Sequence, residues 1–227
     1  IGEFYDLAER YKGHMWLSRS RFPTNTPGWW GGAHPFNILD WSLCHNGEIT
    51  SYGTNKRYVE MWGYKCTLLT DSEVVTYLWD LLCRRHGIPK LLASVAMAPD
   101  YYEHVDRLPD VQRRIATALR ATYGRAMING PFSILVGTNR PKPTMIALTD
   151  RKKLRPMIAA TSEDGATVFA ASEECAIQRV SDTEDVWAPV TGNPVIVQLG
   201  RGVVWRGLDD RLEAKTLRIG GDEGVEA

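Results

Sequence analysis

From Phe132 to Arg206 the chain is cut into short strand-like runs, whereas from Asn55 to Tyr123 it reads mostly as helices. This division into blocks constrains the fold most. Strict alternation of strand and helix would feed a doubly wound parallel sheet, and blocks favour a layered α+β fold instead. The predicted strands are Phe132 to Gly137, Thr144 to Leu148, Thr167 to Ala171, Pro194 to Leu199 and Val203 to Arg206, each bounded by turn clusters. The predicted helices are Asn55 to Trp62, Glu73 to Arg85, Leu91 to Met97, Val111 to Tyr123 and Glu173 to Val180, with Pro99 and Pro109 as breaks. Val74, Val75, Leu78, Leu81 and Leu82 give the second of these a 3.6-residue period, with Asp71-Ser72 as its cap. Earlier in the chain, Tyr5 to Tyr11 reads as a helix and His14 to Ser20 as a strand. Ile38 to His45 reads as a strand ending at the turn-forming pair Asn46-Gly47, and Cys66 to Leu69 as a short strand leading to Asp71.

Composition narrows the function classes. The 227 residues have 44% hydrophobic and 24% charged content, which is ordinary for a globular domain. A chain of this size buries roughly 70% of its extended surface on folding. Lys+Arg and Asp+Glu both count 27, so the basic excess needed to displace counterions from nucleic acid is missing. No apolar run reaches the length of a membrane span, and no signal peptide is recognisable, so the expected location is the cytoplasm. Cys44, Cys66, Cys83 and Cys175 are scattered, with no zinc-ligand spacing, which reads as reduced thiols and no metal site. No internal repeat or linker divides the chain, so residues 1–219 are expected to form one domain and 220–227 a flexible tail. The opening Ile1-Gly2, followed at once by a helical pattern, is expected of a fragment or processed piece.

Three places could carry chemistry. Arg21 stands at a predicted strand end before the segment TNTPGWWGGAHP (24–35), which cannot be regular structure and reads as a lid. Asn46-Gly47 ends the next strand, and Asp71 the one after it. Three adjacent strand ends would then present a guanidinium, an amide beside a backbone N–H, and a carboxylate. A fixed cation and anion suit the zwitterionic head of an amino acid, and the amide with the N–H suits an oxyanion. An ion pair plus a hairpin turn is the other reading of the same residues. Cys44 beside His45 is no nucleophile–base pair, because successive strand residues point to opposite faces.

The wording of these segments adds to the spacing. RFPTNT (21–26), AHPF (33–36), HNGEI (45–49) and TDSEV (70–74) follow one another in one order. Together they resemble the class II glutamine amidotransferase domain, an N-terminal-nucleophile hydrolase, most closely the amidotransferase part of glutamate synthases in its small stand-alone form. DRKKLRP (150–156) and ASEE (171–174) look like downstream pieces of the same superfamily.

The resemblance implies an αββα four-layer sandwich, here lacking its first strands and helix. It implies that Arg21 holds the glutamine α-carboxylate and Asp71 its α-ammonium. Asn46 and the Gly47 N–H would form the oxyanion hole, Thr24 would line the pocket, and Phe22 would wall it. Gly28, Trp29, Trp30, Gly31 and Gly32 would belong to a closing lid, while His45 and Glu48 would be scaffold. It further implies L-glutamine as substrate, with ammonia passed to a glutamate synthase core subunit. FMN and iron–sulfur clusters would reside only in that partner, and this domain would need no cofactor. Two departures stand out. Arg19 replaces a family His, and the family's N-terminal nucleophilic Cys is absent from this chain, which is expected to be inactive as it stands. A catalytically silent subunit that binds glutamine or docks on a synthase is the alternative. Purine and hexosamine amidotransferases are set apart by the RFPTNT wording.

Overall fold

The computed structural model describes residues 2–19 and 30–208. The first stretch holds two helical turns, Gly2–Tyr5 (α1) and Leu7–Arg10 (α2), broken at Asp6. A 3₁₀ turn at Trp30–Gly32 precedes a hairpin of Phe36–Ile38 (β1) and Trp41–Gly47 (β2). A helical block follows: Tyr52–Met61 (α3), Asp71–Trp79 (α4), a π-helical segment Asp80–Arg85, Lys90–Met97 (α5), Tyr102–Val105 (α6) and Asp110–Tyr123 (α7). The remainder is mainly strands: Phe132–Thr138 (β3), Thr144–Thr149 (β4), Ile158–Ser162 (β5), Val168–Ala171 (β6), Thr183–Trp187 (β7), Val195–Gln198 (β8) and Gly202–Trp205 (β9). One short helix, Glu174–Gln178 (α8), interrupts them.

The strands form two antiparallel sheets, ordered β1-β2-β3-β4-β8-β9 and β6-β5-β7. One face of the larger sheet carries Leu43, Ile134, Val136, Ile146 and Leu148 against α3, α4, the π-helical segment and α5. Leu78, Trp79, Leu81 and Leu82 meet that face with no exposed surface, and each such side chain contributes about 1.5–3 kcal/mol by leaving water. The opposite face packs Ala147 and Val195 against Ala159 and Trp187 of the smaller sheet. Helix α8 contacts β5 and β6, and its buried Ile177 stands outside that intersheet cluster. The fold is therefore mixed α+β with antiparallel sheets, as the block pattern predicts. No helix among the described residues is long and apolar enough to cross a membrane.

Several local expectations are corrected. Residues 14–19 form no strand. Met15 and Leu17 instead lie over Gly137, where a Cβ would come within 2.5 Å of Leu17 and 3.0 Å of Met15, so the segment covers a sheet face rather than joining an edge. The strand expected from Ile38 to His45 is a hairpin that reverses at Leu39-Asp40, with Leu39 at φ 50°. Asn46-Gly47 makes no turn there, because β2 runs through both residues, paired with Ser133 and Phe132.

Cys66 to Leu69 is not a strand either. The Thr67 and Leu68 N–H groups donate to the buried Glu73 carboxylate, both at 2.9 Å, and Leu69 sits at φ 55°. A side chain thus supplies the acceptors that a neighbouring strand would have supplied. Asp71 consequently opens a helix rather than ending a strand. The cap of α4 is Thr70, whose Oγ1 accepts the Ser72 N–H at 3.1 Å. Strands β5 and β7 and helix α6 have no counterpart among the predicted elements. β5 (IAATS) has two alanines at its centre, and β7 (TEDVW) opens with Thr183 and two adjacent carboxylates, so neither carries a strong strand pattern.

Candidate active site

Strand β2 sends consecutive side chains to opposite faces at its C-terminal end, as a two-residue period requires. His45 is buried against α4, with Nδ1 3.2 Å from the Ser72 hydroxyl and 3.5 Å from Asp71 Oδ1. Asn46 takes the other face, and its Nδ2 donates to Ser172 Oγ at 3.4 Å, beyond the end of β6. Cys44 shares that second face, so it diverges from His45 as expected.

Gly47 is required by both conformation and space. Its φ is +132°, and a Cβ there would lie 1.9 Å from the Pro131 carbonyl oxygen. The Glu48 N–H donates to that same oxygen at 2.9 Å, so the strand end and the segment before β3 are pressed together. Asp71 is tied to this place from the helix side, where its Oδ2 accepts the Ile49 N–H at 2.9 Å. Asn46 and Gly47 thus lie at one end of β2, and Asp71 is tied to that end through His45 and the Ile49 N–H, from a helix start on the face opposite Asn46. Arg21, Phe22, Thr24, Gly28 and Trp29 lie outside the described residues. Of the lid residues, Trp30 is 82% exposed while Gly31 is buried beside Gly32 in the 3₁₀ turn.

A polar network that the sequence did not reveal backs Asp71. The Ser72 hydroxyl lies 3.3 Å from Asp71 Oδ1 and 3.0 Å from His34 Nε2. Arg19 Nη1 in turn lies 2.8 and 3.0 Å from the two His34 ring nitrogens. Arg19, the residue that departs from the family pattern, is therefore engaged with the imidazole that precedes Pro35. Burial pushes the Asp71 carboxyl up, but the hydrogen bond and attraction to His45, with the Ile49 and Ser72 N–H groups, outweigh it and hold the group below its usual range. His34 is lowered to about 3, first by burial and then by Arg19 and His45, with Asp71 opposing.

This sets an expected pH dependence. Between the ordinary imidazole value near 6.5 and about 3, the unfolded chain binds a proton at His34 that the folded chain does not. Stability should therefore fall as pH drops through this window, and Asp71 adds the same trend at its lower end. Urea midpoints measured from pH 7 to 4 should decline less steeply in His34→Gln than in the parent. Parallel declines would remove His34 as a cause.

None of the four cysteines offers a neighbouring free amine. Burial raises the Cys44 and Cys66 thiols to about 11 each, and the Glu173 carboxylate raises Cys175. These thiols are poor nucleophiles at neutral pH.

Residues 1–68 match the family model of glutamine amidotransferases class-II. The match includes Arg21, Asn46 and Gly47 and stops short of Asp71. An uncharacterized protein of Archaeoglobus fulgidus is 52% identical over 200 residues, covering 88% of this chain and 52% of that protein. A protein of Methanothermobacter thermautotrophicus, provisionally described as a glutamine amidotransferase, is 29% identical over 196 residues, covering 82% of this chain and 53% of its own. The chain thus spans about half the length of these curated relatives. Among solved structures, the glutamine phosphoribosylpyrophosphate amidotransferase of B. subtilis aligns at 18% identity with a TM-score of 0.48, covering 77% of this chain and 31% of that one.

Proposed function

We propose that this amidotransferase domain binds L-glutamine at the C-terminal end of β2 and serves its hydrolysis to glutamate and ammonia. The placement of Asn46, Gly47 and Asp71 at that end carries the reading. A cysteine thiolate from outside this chain's four thiols attacks the side-chain carbonyl of glutamine. The developing oxyanion is received by the Asn46 amide and the Gly47 N–H. Ammonia leaves, and water resolves the γ-glutamyl thioester to glutamate. Asp71 keeps capacity for the substrate ammonium, because a carboxylate has about four acceptor sites and its side chain is 24% exposed. Arg21 takes the α-carboxylate. The RFPTNT wording supports glutamate synthase as the destination of the ammonia, with flavin and iron–sulfur chemistry confined to a partner.

The test is glutamine affinity in a form of the protein that includes the nucleophilic cysteine. Arg21→Ala and Asp71→Asn should each weaken glutamine binding at least about tenfold, since truncating one side of a buried charge contact costs ~2–5 kcal/mol. Arg21→Lys should recover little, because an ammonium lacks the planar fork. Near-parental affinity in both Arg21→Ala and Asp71→Asn would make them an ordinary structural ion pair and end the clamp assignment.

A further inference from the structure

At the opposite end of β2, about 20 Å from Gly47 by strand rise, lies a cavity of about 410 Å³. That is within the usual ~300–1,000 Å³ of small-molecule sites. Trp41, Ile88 and Pro89 supply an apolar wall, and Arg84, Lys90 and Arg140 bring three cations to it. Two of these already have carboxylates. Arg84 donates to the fully buried Asp80 through Nε and Nη2 at 2.5 and 2.7 Å, and Arg140 lies 3.2 Å from Asp40. Lys90 differs. It is only 8% exposed, and among the described residues its ammonium has no hydrogen-bond acceptor or ion-pair partner.

The stem is covered while the ammonium keeps access to the cavity, so an anion bound there can reach it. Lys90 is also the first residue of α5, an eight-residue helix capped by no side chain. The N–H groups of that first turn add partial positive charge on the same side. The neighbouring wall is the π-helical segment that places Cys83 and Arg84, an irregularity often found beside binding sites.

We propose that this cavity is a binding site for a phosphate-bearing small molecule. Lys90 and the α5 N-terminus take the phosphate, Arg84 and Arg140 flank it, and Trp41 with Ile88 contacts the organic remainder. The site is separate from the glutamine site and does not depend on that assignment.

Inorganic phosphate and pyrophosphate are suitable probes, titrated calorimetrically into the chain at constant ionic strength. Saturable binding in the millimolar range or tighter is expected. Lys90→Met keeps the aliphatic stem and should weaken binding at least about tenfold. The exposed Arg140→Gln, which leaves the fold untouched, should weaken binding several-fold without shifting the melt. No saturable binding of either probe would overturn the site, as would parental affinity in both Arg140→Gln and Lys90→Met. Glutamine turnover enters none of these readings, so failure here and failure of the amidotransferase assignment are distinguishable.

Discussion

Asn46→Ala should lower kcat by about 10²–10³ and leave KM nearly unchanged, in a form of the protein that includes the nucleophilic cysteine. The reason lies in when the contact is made. Arg21 and Asp71 hold groups whose charge is constant through the reaction, so they contribute binding that is nearly uniform. The Asn46 amide faces the oxygen on which charge develops, so its hydrogen bond strengthens in the transition state. In the structure its contact with Ser172 is long, at 3.4 Å, and therefore weak. Ser172→Ala is therefore expected to change turnover far less than Asn46→Ala. Kinetics normalised by active-site titration, alongside thermal melting, separates the cases. A destabilised Asn46→Ala with full turnover per titrated site would end the oxyanion-hole assignment.

Gly47→Ala should destabilise the fold by more than about 3 kcal/mol, because strain and overlap add. The backbone at φ +132° is strained for any L side chain, and the new Cβ would sit 1.9 Å from the Pro131 oxygen. Backbone atoms cannot swing aside as a flexible side chain does, so β2 would have to part from the segment before β3. Gly63→Ala is the matched control. Gly63 also has positive φ, at +87°, but nothing stands within 4 Å of its Cβ position, so it should show the strain alone, about 1 kcal/mol. Urea denaturation of both variants would measure the overlap by difference. Equal losses would mean that the close approach at Gly47 is not a constraint on folding.

Much of this architecture was legible before any coordinates. Helical periods at Val74, Leu78 and Leu82 and short apolar runs such as Phe132 to Gly137 are local patterns, and the structure realises them within a residue or two. Where the reading failed, a distant group had replaced the expected partner. Cys66 to Leu69 has strand-like residues, but the Glu73 carboxylate takes its N–H groups. His14 to Ser20 contains the apolar run Met15-Trp16-Leu17, but Met15 and Leu17 cover Gly137. β5 escaped notice because Ala159 and Ala160 carry little β signal, although both are fully buried between neighbouring strands.

The sequence by itself determined the class of fold, the candidate residues Asn46, Gly47 and Asp71, and the lack of a suitable nucleophile among four cysteines. All of these are written in residue types over short spans. Tertiary structure alone decided that Asp71 reaches the β2 end from a helix start, through the Ile49 N–H, with Ser72, His34 and Arg19 behind it. It alone placed Pro131 against Gly47 and set the mostly covered Lys90 on the lining of a cavity with Arg84 and Arg140. The physical reason is the same in each case. Hydrogen bonds, overlaps and desolvation depend on which groups come within a few ångströms, and in this chain groups that meet can be 126 residues apart, as Asn46 and Ser172 are.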